Sequence, residues 1–285
     1  MKYLSTFTGL GGFELAIHAE TLNAECVGFF EYDKFAEETY LKNYPGHVGM
    51  NFGDIGRFCF DVVKGKLVAN EARIKLLPDF DLLVGGPPCQ DLSIARGNRK
   101  GLEGEKSIMF FAFEAILRIK KPKWFLMENV SSMSNENRDI ISKYLGVEPV
   151  AINSDKFTPQ KRIRNYWFNW GMPELPKIDG PRWPELVAWS RSTRYHKGAK
   201  SYVDERETLD GRANTLTTGP GCSSFSSKNF MRIDGQDRVL TPEICEQLQG
   251  LPPNWTYGVS DSQRYKQIGN AVNVPTVMHI LGGIL

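Results

Sequence analysis

Cysteine and histidine are scarce in this chain of 285 residues, and their scarcity argues against two ways of stabilising a fold. The chain has five cysteines and four histidines, and no two cysteines form a Cys-x-x-Cys pair. An odd, scattered set of this kind fits neither a disulfide framework nor a zinc site. We therefore expect no disulfide bond and no metal. The cysteines are Cys26, Cys59, Cys89, Cys222 and Cys245.

Long apolar runs are missing as well. No stretch approaches the roughly 20 apolar residues that cross a bilayer, and Met1-Lys2-Tyr3 goes directly into a strand-like run without a signal peptide. With 41% hydrophobic and 24% charged residues, the composition suits one large globular domain and a smaller one. We expect an intracellular protein, in the cytoplasm or nucleoid, that binds no membrane.

The net charge of +2 is small, but the charges are unevenly distributed. Residues 1–60 hold four basic and eight acidic side chains, whereas residues 156–232 hold fourteen basic and seven acidic ones. This asymmetry favours a polyanion-binding second half, although a solvated basic surface explains the charge equally well.

The N-terminal pattern predicts a Rossmann-like βα unit. A strand from Lys2 to Phe7 is followed by the glycine turn Thr8-Gly9-Leu10-Gly11-Gly12 and an amphipathic helix from Phe13 to Thr21. Glu14 stands where a dinucleotide fingerprint has its third glycine, and a carboxylate there is unfavourable beside a pyrophosphate. The turn therefore favours a cofactor without phosphates.

The next two units offer two more carboxylates. A strand from Ala24 to Phe30 ends in Glu31, either a ribose acceptor or an exposed strand-end glutamate. Asp33 caps a helix that runs to about Asn43, and a short third strand is expected at residues 47–50. Asp54 of Gly53-Asp54-Ile55 is either an acceptor for a purine amine or part of an ordinary turn. Residues 57–77 are predicted to be helical.

A candidate nucleophile and a candidate acid follow two apolar strands. Residues 81–84 form a buried strand, and Gly85-Gly86-Pro87-Pro88 then places Cys89 at its carboxyl end, where open α/β sheets bind ligands. Considered alone, a cysteine next to an apolar strand such as Cys89 is usually an inert small hydrophobe. Residues 90–106 form a polar, basic loop suited to a lid. After a helix at 107–120, the strand Trp124 to Met127 ends at Glu128, so Cys89 and Glu128 can face one pocket.

The second half of the chain is basic and less regular. A helix is expected at residues 135–145 and a strand at 149–153. Alternation places Arg162 and Arg164 on one side of an extended segment, as a phosphate clamp. Residues 171–210 show no strong strand or helix pattern, and regular signals resume with a helix from Thr241 to Leu248 and a final apolar helix.

Taken together, these motifs resemble those of the cytosine-5 DNA methyltransferases that depend on S-adenosylmethionine. Residues 91–102 and 138–140 also resemble the catalytic domain of the vertebrate de novo enzymes, whereas the Gly269-Asn270-Ala271-Val272 ending is closer to bacterial and phage members. Each motif is short, but the ordered set is highly specific. In chain order the motifs are FTGLGG (7–12), Glu31, GDI (53–55), GPPCQ (86–90), ENV (128–130), QKRIR (160–164), RANTLTT (212–218) and GNAVNVP (269–275).

The resemblance implies a covalent mechanism without a metal. Cys89 adds to carbon-6 of cytosine, which makes carbon-5 nucleophilic enough to take the methyl group. Glu128, a buried carboxyl group, protonates or hydrogen-bonds nitrogen 3 of the ring. Arg164 and Arg162 hold the cytosine carbonyl and the adjacent phosphate.

It also implies binding residues for S-adenosylmethionine and for double-stranded DNA. Because carbon-5 is hidden in the stacked duplex, the target base must be flipped out. The expected cofactor-binding residues are Phe7, Gly9, Leu10, Gly11, Gly12, Glu31, Asp54, Ile55, Asn270 and Val272. The expected DNA-binding residues are Gln90, Ser93, Arg96, Arg99, Arg191 and Arg194.

The expected fold class is α/β: a Rossmann-like methyltransferase domain with a mostly parallel sheet, plus a small irregular target-recognition domain. Residues 1–170 are expected to form the catalytic and cofactor-binding domain, and residues 171–211 the target-recognition region. Residues 212–285 complete the target-recognition region and then the catalytic domain. The oligomeric state is open, with a monomer favoured. A cytosine-5 transfer-RNA methyltransferase shares almost the same motifs and is the main alternative. A catalytically silent DNA-recognition protein and a nicotinamide oxidoreductase fit less well.

Overall fold

The computed structural model describes residues 1–88, 107–194, 202–225 and 227–284. The chain divides into two compact units, which are described separately. Unit 1 comprises Met1–Ile152, Arg164–Met172 and Ile280–Leu285, and unit 2 comprises Asn153–Ile163 and Pro173–His279.

Unit 1 is built on a six-stranded sheet in the order β2-β1-β5-β6-β8-β7. The pairs β1/β2, β1/β5 and β5/β6 are parallel and β6/β8 is antiparallel, which confirms the expected mostly parallel α/β sheet. The strands are β1 (Lys2–Thr6), β2 (Glu25–Phe30), β5 (Leu82–Gly85), β6 (Trp124–Val130), β7 (Val150–Asn153) and β8 (Ile163–Phe168).

Helices cover both faces of this sheet, because alternate strand residues point to opposite sides. The helices are α1 (Gly12–Glu20), α2 (Lys34–Asn43), α3 (Ile55–Cys59), α4 (Glu71–Lys75), α5 (Ser107–Lys120) and α6 (Asn135–Leu145). On one face, Tyr3 of β1 contacts His18 of α1, and Phe29 of β2 contacts Tyr40 of α2. On the other, Leu4 lies in a buried cluster with Phe113 of α5.

Two expectations for residues 45–77 are wrong. The short third strand is absent: Pro45–His47 is a 3₁₀ helix, and only an isolated bridge joins Phe29 to Asn51. Residues 57–77 are not one helix but α3, a hairpin of β3 (Phe60–Val63) and β4 (Lys66–Ala69), and α4. Lys64 and Gly65 at the hairpin turn both have positive φ, the two-residue geometry that matches strand twist.

Unit 2 contains a four-stranded antiparallel sheet in the order β10-β9-β11-β12. Its strands are β9 (Leu186–Arg194), β10 (Tyr202–Thr208), β11 (Ser227–Ile233) and β12 (Gln236–Val239). Two of them, β9 and β10, lie in the region where the sequence shows no strand pattern. The helices are α7 (Pro242–Gln249), α8 (Asp261–Asn270) and α9 (Val274–Leu281), and the last two residues of α9 are assigned to unit 1.

Candidate active site

The carboxyl ends of four parallel strands lie at one edge of the unit 1 sheet. Thr6 of β1 is in register with Phe30 of β2 and with Gly85 of β5, and Gly85 is in register with Met127 of β6. The loops that follow these four strands carry the predicted cofactor and catalytic motifs. Their side chains are therefore brought together by the strand order, as expected for an open α/β sheet.

Glu31 fixes the glycine loop after β1. Its Oε2 accepts a hydrogen bond of 2.7 Å from the amide of Gly9, and its Oε1 accepts one of 2.7 Å from the amide of Asp33. The residue is only 8% exposed, so it is not the exposed strand-end glutamate of the alternative interpretation. Burial raises the pKa of this carboxyl group, and the amide hydrogen bonds oppose that effect.

Glycine is required at the N-cap of α1. Gly11 has φ of +88°, and a Cβ there would lie 2.7 Å from a ring carbon of Tyr44. Any other residue would be strained and would clash with α2. The helix therefore begins close against α2, directly behind the loop that Glu31 holds.

Asn51 connects Glu31 to the Gly53-Asp54-Ile55 turn. It donates to the carbonyl of Glu31 at 2.9 Å and accepts from the amides of Glu31 and Gly53 at 3.1 and 2.8 Å. Asp54 caps α3 by accepting from the amide of Arg57 at 3.1 Å, and its side chain stays 32% exposed. The hydrogen bonds of Asn51 thus form one frame, which joins the backbone at Glu31 to the turn that carries Asp54.

The sequence reasoning missed two residues of this frame. Asn51 was missed because its role depends on a strand 20 residues away, although a short amide between two predicted turns is a usable signal. Tyr32 was missed because the neighbouring carboxylates, Glu31 and Asp33, were the only candidates considered at this strand end. Its side chain is 78% exposed next to Glu31 and offers a flat surface at the edge of the site.

The loop that leads to Cys89 is fixed beside Glu128. The hydroxyl of Thr6 donates to the carbonyl of Val84 at 2.9 Å, and a Cβ at Gly85 would lie 2.0 Å from that hydroxyl oxygen. A Cβ at Gly86 would lie 3.3 Å from Oε2 of Glu128. The two glycines therefore let the loop pass close to β1 and β6.

Asn129 secures the same loop from the side of β6. Its Nδ2 donates to the carbonyl of Pro87 at 3.0 Å, and its Oδ1 accepts from the amide of Val130 at 2.8 Å. Asn129 is 5% exposed, so water competes little for these bonds. The chain is thus held two residues before Cys89 by the neighbour of Glu128.

Glu128 forms an ion pair with Arg164. The Nε of Arg164 lies 3.0 Å from Oε1 of Glu128, and the two side chains are 13% and 12% exposed. Antiparallel pairing of β6 with β8 brings them together, since Val130 is opposite Arg164 and Glu128 is opposite Tyr166. A guanidinium in this position fixes the orientation of the carboxyl group.

Arg162 has different partners from Arg164. In unit 2 its guanidinium donates to the carbonyls of Leu216, Gly269 and Ala271 at 3.2, 3.3 and 2.7 Å, and the residue is 3% exposed. The alternation that predicted a shared clamp does not apply, because β8 begins at Ile163. These contacts indicate a structural role for Arg162, and its share with Arg164 in a phosphate clamp stays a prediction.

The predicted cofactor residues near the C-terminus lie in unit 2. Asn270 ends α8, and Val272 is 7% exposed. Between them, the carbonyl of Ala271 accepts from Arg162 and, at 3.1 Å, from Gln249. Arg162 thus fixes the turn that carries these two residues.

Several predicted residues lie outside the described part of the chain. Arg191 and Arg194 are in β9, but only their backbone is described. Cys89 and the lid residues fall in the gap after Pro88. The residues in that gap are Cys89, Gln90, Ser93, Arg96 and Arg99.

Two kinds of feature, a cluster of metal ligands and a membrane-spanning helix, are absent from the described residues. Within residues 1–88, 107–194, 202–225 and 227–284, no three His, Cys, Asp or Glu side chains are grouped as they would be around a metal ion. No helix in these ranges combines the length and the apolar character needed to cross a membrane.

Comparison with known proteins agrees with the motif order. The sequence model of the family "C-5 cytosine-specific DNA methylase" matches residues 1–168 and 178–285. The Type II methyltransferase M.HhaI of Haemophilus parahaemolyticus is 27% identical, over 98% of this chain and 93% of its own. M.HaeII of Haemophilus aegyptius, also a Type II methyltransferase, is 29% identical, over 100% and 92%.

Solved structures show the same fold at lower identity. The S. pombe Dnmt2 methyltransferase superposes with a TM-score of 0.71 and 16% identity, covering 99% of this chain and 97% of its own. This likeness extends over both units of the chain and supports the α/β methyltransferase architecture.

Proposed function

The chain belongs to the C-5 cytosine-specific DNA methylase family, and from this membership we propose that it transfers a methyl group from S-adenosylmethionine to carbon-5 of cytosine in double-stranded DNA. One observation carries the proposal. The described part of the loop that leads to Cys89 is held at Pro87 by Asn129, and Gly86 passes beside the carboxyl group of Glu128 on the adjacent strand. A nucleophile and an acid are the two groups that a cytosine ring needs for methylation at carbon-5.

The residues of the glycine loop fit S-adenosylmethionine better than a nucleotide phosphate. The donor is a sulfonium cation, and two buried carboxyl groups, Glu14 and Glu31, flank this loop. Negative charge there disfavours a pyrophosphate and favours a cation. In our proposal Glu31 accepts from the ribose hydroxyls and Asp54 from the adenine amine, while the cofactor supplies an electrophilic methyl group.

The other predicted cofactor residues have supporting roles in this proposal. Backbone groups of the loop approach the cofactor, with Phe7 and Ile55 as apolar neighbours, and Asn270 and Val272 contribute from the C-terminal motif. The loop residues are Gly9, Leu10, Gly11 and Gly12.

The protein's own residues perform the chemistry on cytosine. The thiolate of Cys89 bonds to carbon-6, and Glu128 gives a proton or a hydrogen bond to nitrogen 3 as negative charge develops there. The resulting enamine attacks the methyl group through carbon-5. The proton on carbon-5 then leaves to water or hydroxide, and the bond to Cys89 breaks.

Arg164 orients Glu128 and provides a cation beside the cytosine carbonyl. A guanidinium has several donors, so it can keep its contact with Glu128 and still bind an oxygen of the substrate. Arg162 is not assigned this role, because its contacts with carbonyls of unit 2 occupy it.

DNA contacts belong to the lid and to unit 2. We propose that the target base is flipped out and that Gln90, Ser93, Arg96 and Arg99 close over the distorted strand. Residues 171–211, with Arg191 and Arg194, read the sequence, and the short length of this region favours a site of about two to four base pairs. Bisulfite sequencing of DNA from cells that express the protein identifies the site, and an enforced site of six or more pairs would contradict a short-site reader.

A covalent adduct is the decisive test of the proposed function. Fluorine at carbon-5 cannot leave as a proton does, so a duplex with 5-fluorocytosine in the methylated motif should trap the enzyme in the presence of S-adenosylmethionine. We expect a denaturation-resistant adduct with the wild type and none with Cys89→Ser, measured by gel shift and mass spectrometry. Cys245→Ser, which removes a fully buried thiol in unit 2, serves as the matched control and should still be trapped. An adduct with Cys89→Ser, or none with the wild type, would refute the role of Cys89.

The nature of the nucleic acid needs a separate measurement. Labelled methyl groups from S-adenosylmethionine should be incorporated into double-stranded DNA and not into transfer RNA. The opposite result would assign the protein to the transfer-RNA alternative. A DNA substrate also implies that the protein acts inside the cell, where that DNA lies.

Asp54 gives a test of the donor site that does not depend on turnover. Asp54→Ala should weaken S-adenosylmethionine binding by roughly 1–3 kcal/mol, because the adenine amine, a donor buried in the proposed complex, loses its acceptor. Calorimetry measures the change. Asp54→Asn is the informative control, since an Asn keeps the helix cap and replaces the acceptor pair by an amide. Unchanged affinity in both variants would place the adenine elsewhere.

A further inference from the structure

Glu14 is a buried carboxyl group without a hydrogen-bonded partner. It lies in the first turn of α1, three residues after the Gly11 cap, and is 0% exposed. In the described residues neither carboxyl oxygen makes a hydrogen bond of ordinary geometry, and no ion pair includes it. Buried carboxylates in proteins are almost always paired, so this arrangement calls for an explanation.

The groups around Glu14 are polar but uncharged, apart from one carboxylate. The hydroxyls of Ser5 and Tyr40 face it and lower its pKa, and the Ser5 oxygen also accepts a hydrogen bond of 3.0 Å from the hydroxyl of Thr8. The titratable neighbours come from β1, β2 and α2 and from the loop after β2. They are Tyr3, Cys26, Tyr40, Tyr44 and Glu31.

Two histidines lie one contact further away and do not supply a positive charge near neutral pH. His18 is hydrogen-bonded to Tyr3 at 2.9 Å and His47 to Tyr40 at 2.8 Å. Burial lowers the pKa of both rings. The tyrosines and Cys26 have raised pKa values, mainly through burial, and stay neutral. Of these neighbours, only Glu31 adds negative charge.

Burial raises the pKa of Glu14 to about 7, with the charge of Glu31 adding to the effect and the hydroxyls of Ser5 and Tyr40 opposing it. Near neutral pH the group is therefore divided between its acid and its carboxylate. A cation that binds on the other side of the glycine loop favours the carboxylate, because opposite charges stabilise each other across a region of low dielectric.

We propose that Glu14 is a positioning residue for the sulfonium of the methyl donor: its buried carboxylate, behind the Gly9–Gly11 loop, favours S-adenosylmethionine over S-adenosylhomocysteine and releases a proton when the donor binds. The inference rests on the proposed function, because it needs the donor in that loop. It adds to the proposed function that Glu14, a residue outside the substrate pocket, distinguishes the methyl donor from the product.

The two ligands make the discrimination measurable, since they differ by one methyl group and one positive charge. A unit charge at roughly 10 Å in protein of effective dielectric constant about 20 changes affinity by about tenfold. Below pH 7 Glu14 is neutral and the preference is weak. As the pH rises through about 7 the carboxylate forms and affinity for the cation increases. The product, with a neutral sulfur, gains little.

Calorimetry on the full-length protein at pH 6, 7 and 8, in buffers of different ionisation enthalpy, tests this. For the wild type we expect S-adenosylmethionine to bind about fivefold more tightly at pH 8 than at pH 6, with S-adenosylhomocysteine changing less than about twofold. At pH 7 the donor should release more protons than the product. Glu14→Gln, which keeps the shape and removes the charge, should abolish both differences.

Controls separate Glu14 from other titrating groups. The α-amino group of both ligands titrates near pH 8, so the result is the difference between wild type and Glu14→Gln. Glu20→Gln, at the other end of α1, should behave as the wild type. If Glu14→Gln does not fold, the inference is tested on the wild type alone, by comparing the pH dependence of its affinity for the two ligands.

Three results would overturn the inference. Equal pH dependence for the two ligands, or proton release that persists in Glu14→Gln, would show that another group responds to the donor while leaving the methyltransferase function intact. Binding of neither ligand at any pH would refute the proposed function, and the inference with it.

Discussion

Replacing Glu128 with glutamine is expected to lower the rate of methyl transfer by roughly 10²–10⁴-fold, the effect of losing a positioned acid or base. The amide keeps the shape of the side chain and can still contact the cytosine ring. It cannot give up a proton to nitrogen 3 as charge develops there. DNA and S-adenosylmethionine should bind almost as in the wild type, so the loss should appear in kcat and not in KM.

Single-turnover transfer of labelled methyl groups, together with DNA-binding isotherms, measures this split. Glu148→Gln is a suitable control because Glu148 is exposed on unit 1, and the same change of charge there should leave the rate unaltered. Turnover of Glu128→Gln within a factor of about three of the wild type would exclude Glu128 as the acid. Loss of Arg164 should have a smaller effect on chemistry, because the carboxyl group remains after its orienting partner is removed.

Local signals in the sequence predict several elements of the first half of the fold. Asp33 was predicted to begin a helix that ends near Asn43, and α2 spans Lys34–Asn43 with the Asp33 carboxylate accepting from the amide of Phe35. This prediction succeeds because the N-cap residue and the helical pattern that follows it are both local signals, contained within a few residues of the chain. The strand before Cys89 was also predicted, since a short apolar run between turns suffices to define a buried strand.

Signals that depend on distant partners were not available from the sequence. The β3–β4 hairpin was taken for a helix, although a two-residue turn ending in glycine, Lys64-Gly65, directly after Val62-Val63 is a short-range hairpin signal. The strands β9 and β10 were missed because the pairing of β9 with β11 and of β10 with β9, rather than their own composition, defines them. Pairing across tens of residues leaves little trace in a local pattern.

The candidate site shows the same division. The sequence placed Glu31 and Glu128 at strand ends, and Glu31 directly follows β2 while Glu128 lies in the last three residues of β6. Asp54 instead caps α3, because the strand expected before it is absent. The contact of Asn129 with the carbonyl of Pro87 joins positions 42 residues apart and follows only from the order of the strands. Sequence reasoning therefore names the chemical groups, and the fold determines which of them share a hydrogen bond.

Arg162 is where sequence and structure differ most, and its replacement should mainly affect stability. In Arg162→Ala the carbonyls of Leu216, Gly269 and Ala271 lose their charged donor inside unit 2. The carbonyl of Ala271 keeps its bond from Gln249, and an unsatisfied buried acceptor costs about 1–3 kcal/mol, so the loss at the other two carbonyls should lower the free energy of unfolding by at least about 2 kcal/mol. Urea denaturation followed by tryptophan fluorescence measures the change.

A phosphate-binding Arg162 would give the opposite pattern. Its replacement would lower DNA affinity and reduce the salt dependence of binding by about one phosphate contact, with stability little changed. Arg238→Ala is the matched control, because Arg238 is an exposed arginine of β12 in the same unit and should change stability by no more than about 0.5 kcal/mol. If Arg162→Ala unfolds at the same urea concentration as Arg238→Ala but binds DNA more weakly, the clamp predicted from the sequence is correct. If it unfolds much earlier, the guanidinium is a structural group that holds the Asn270–Val272 turn in place.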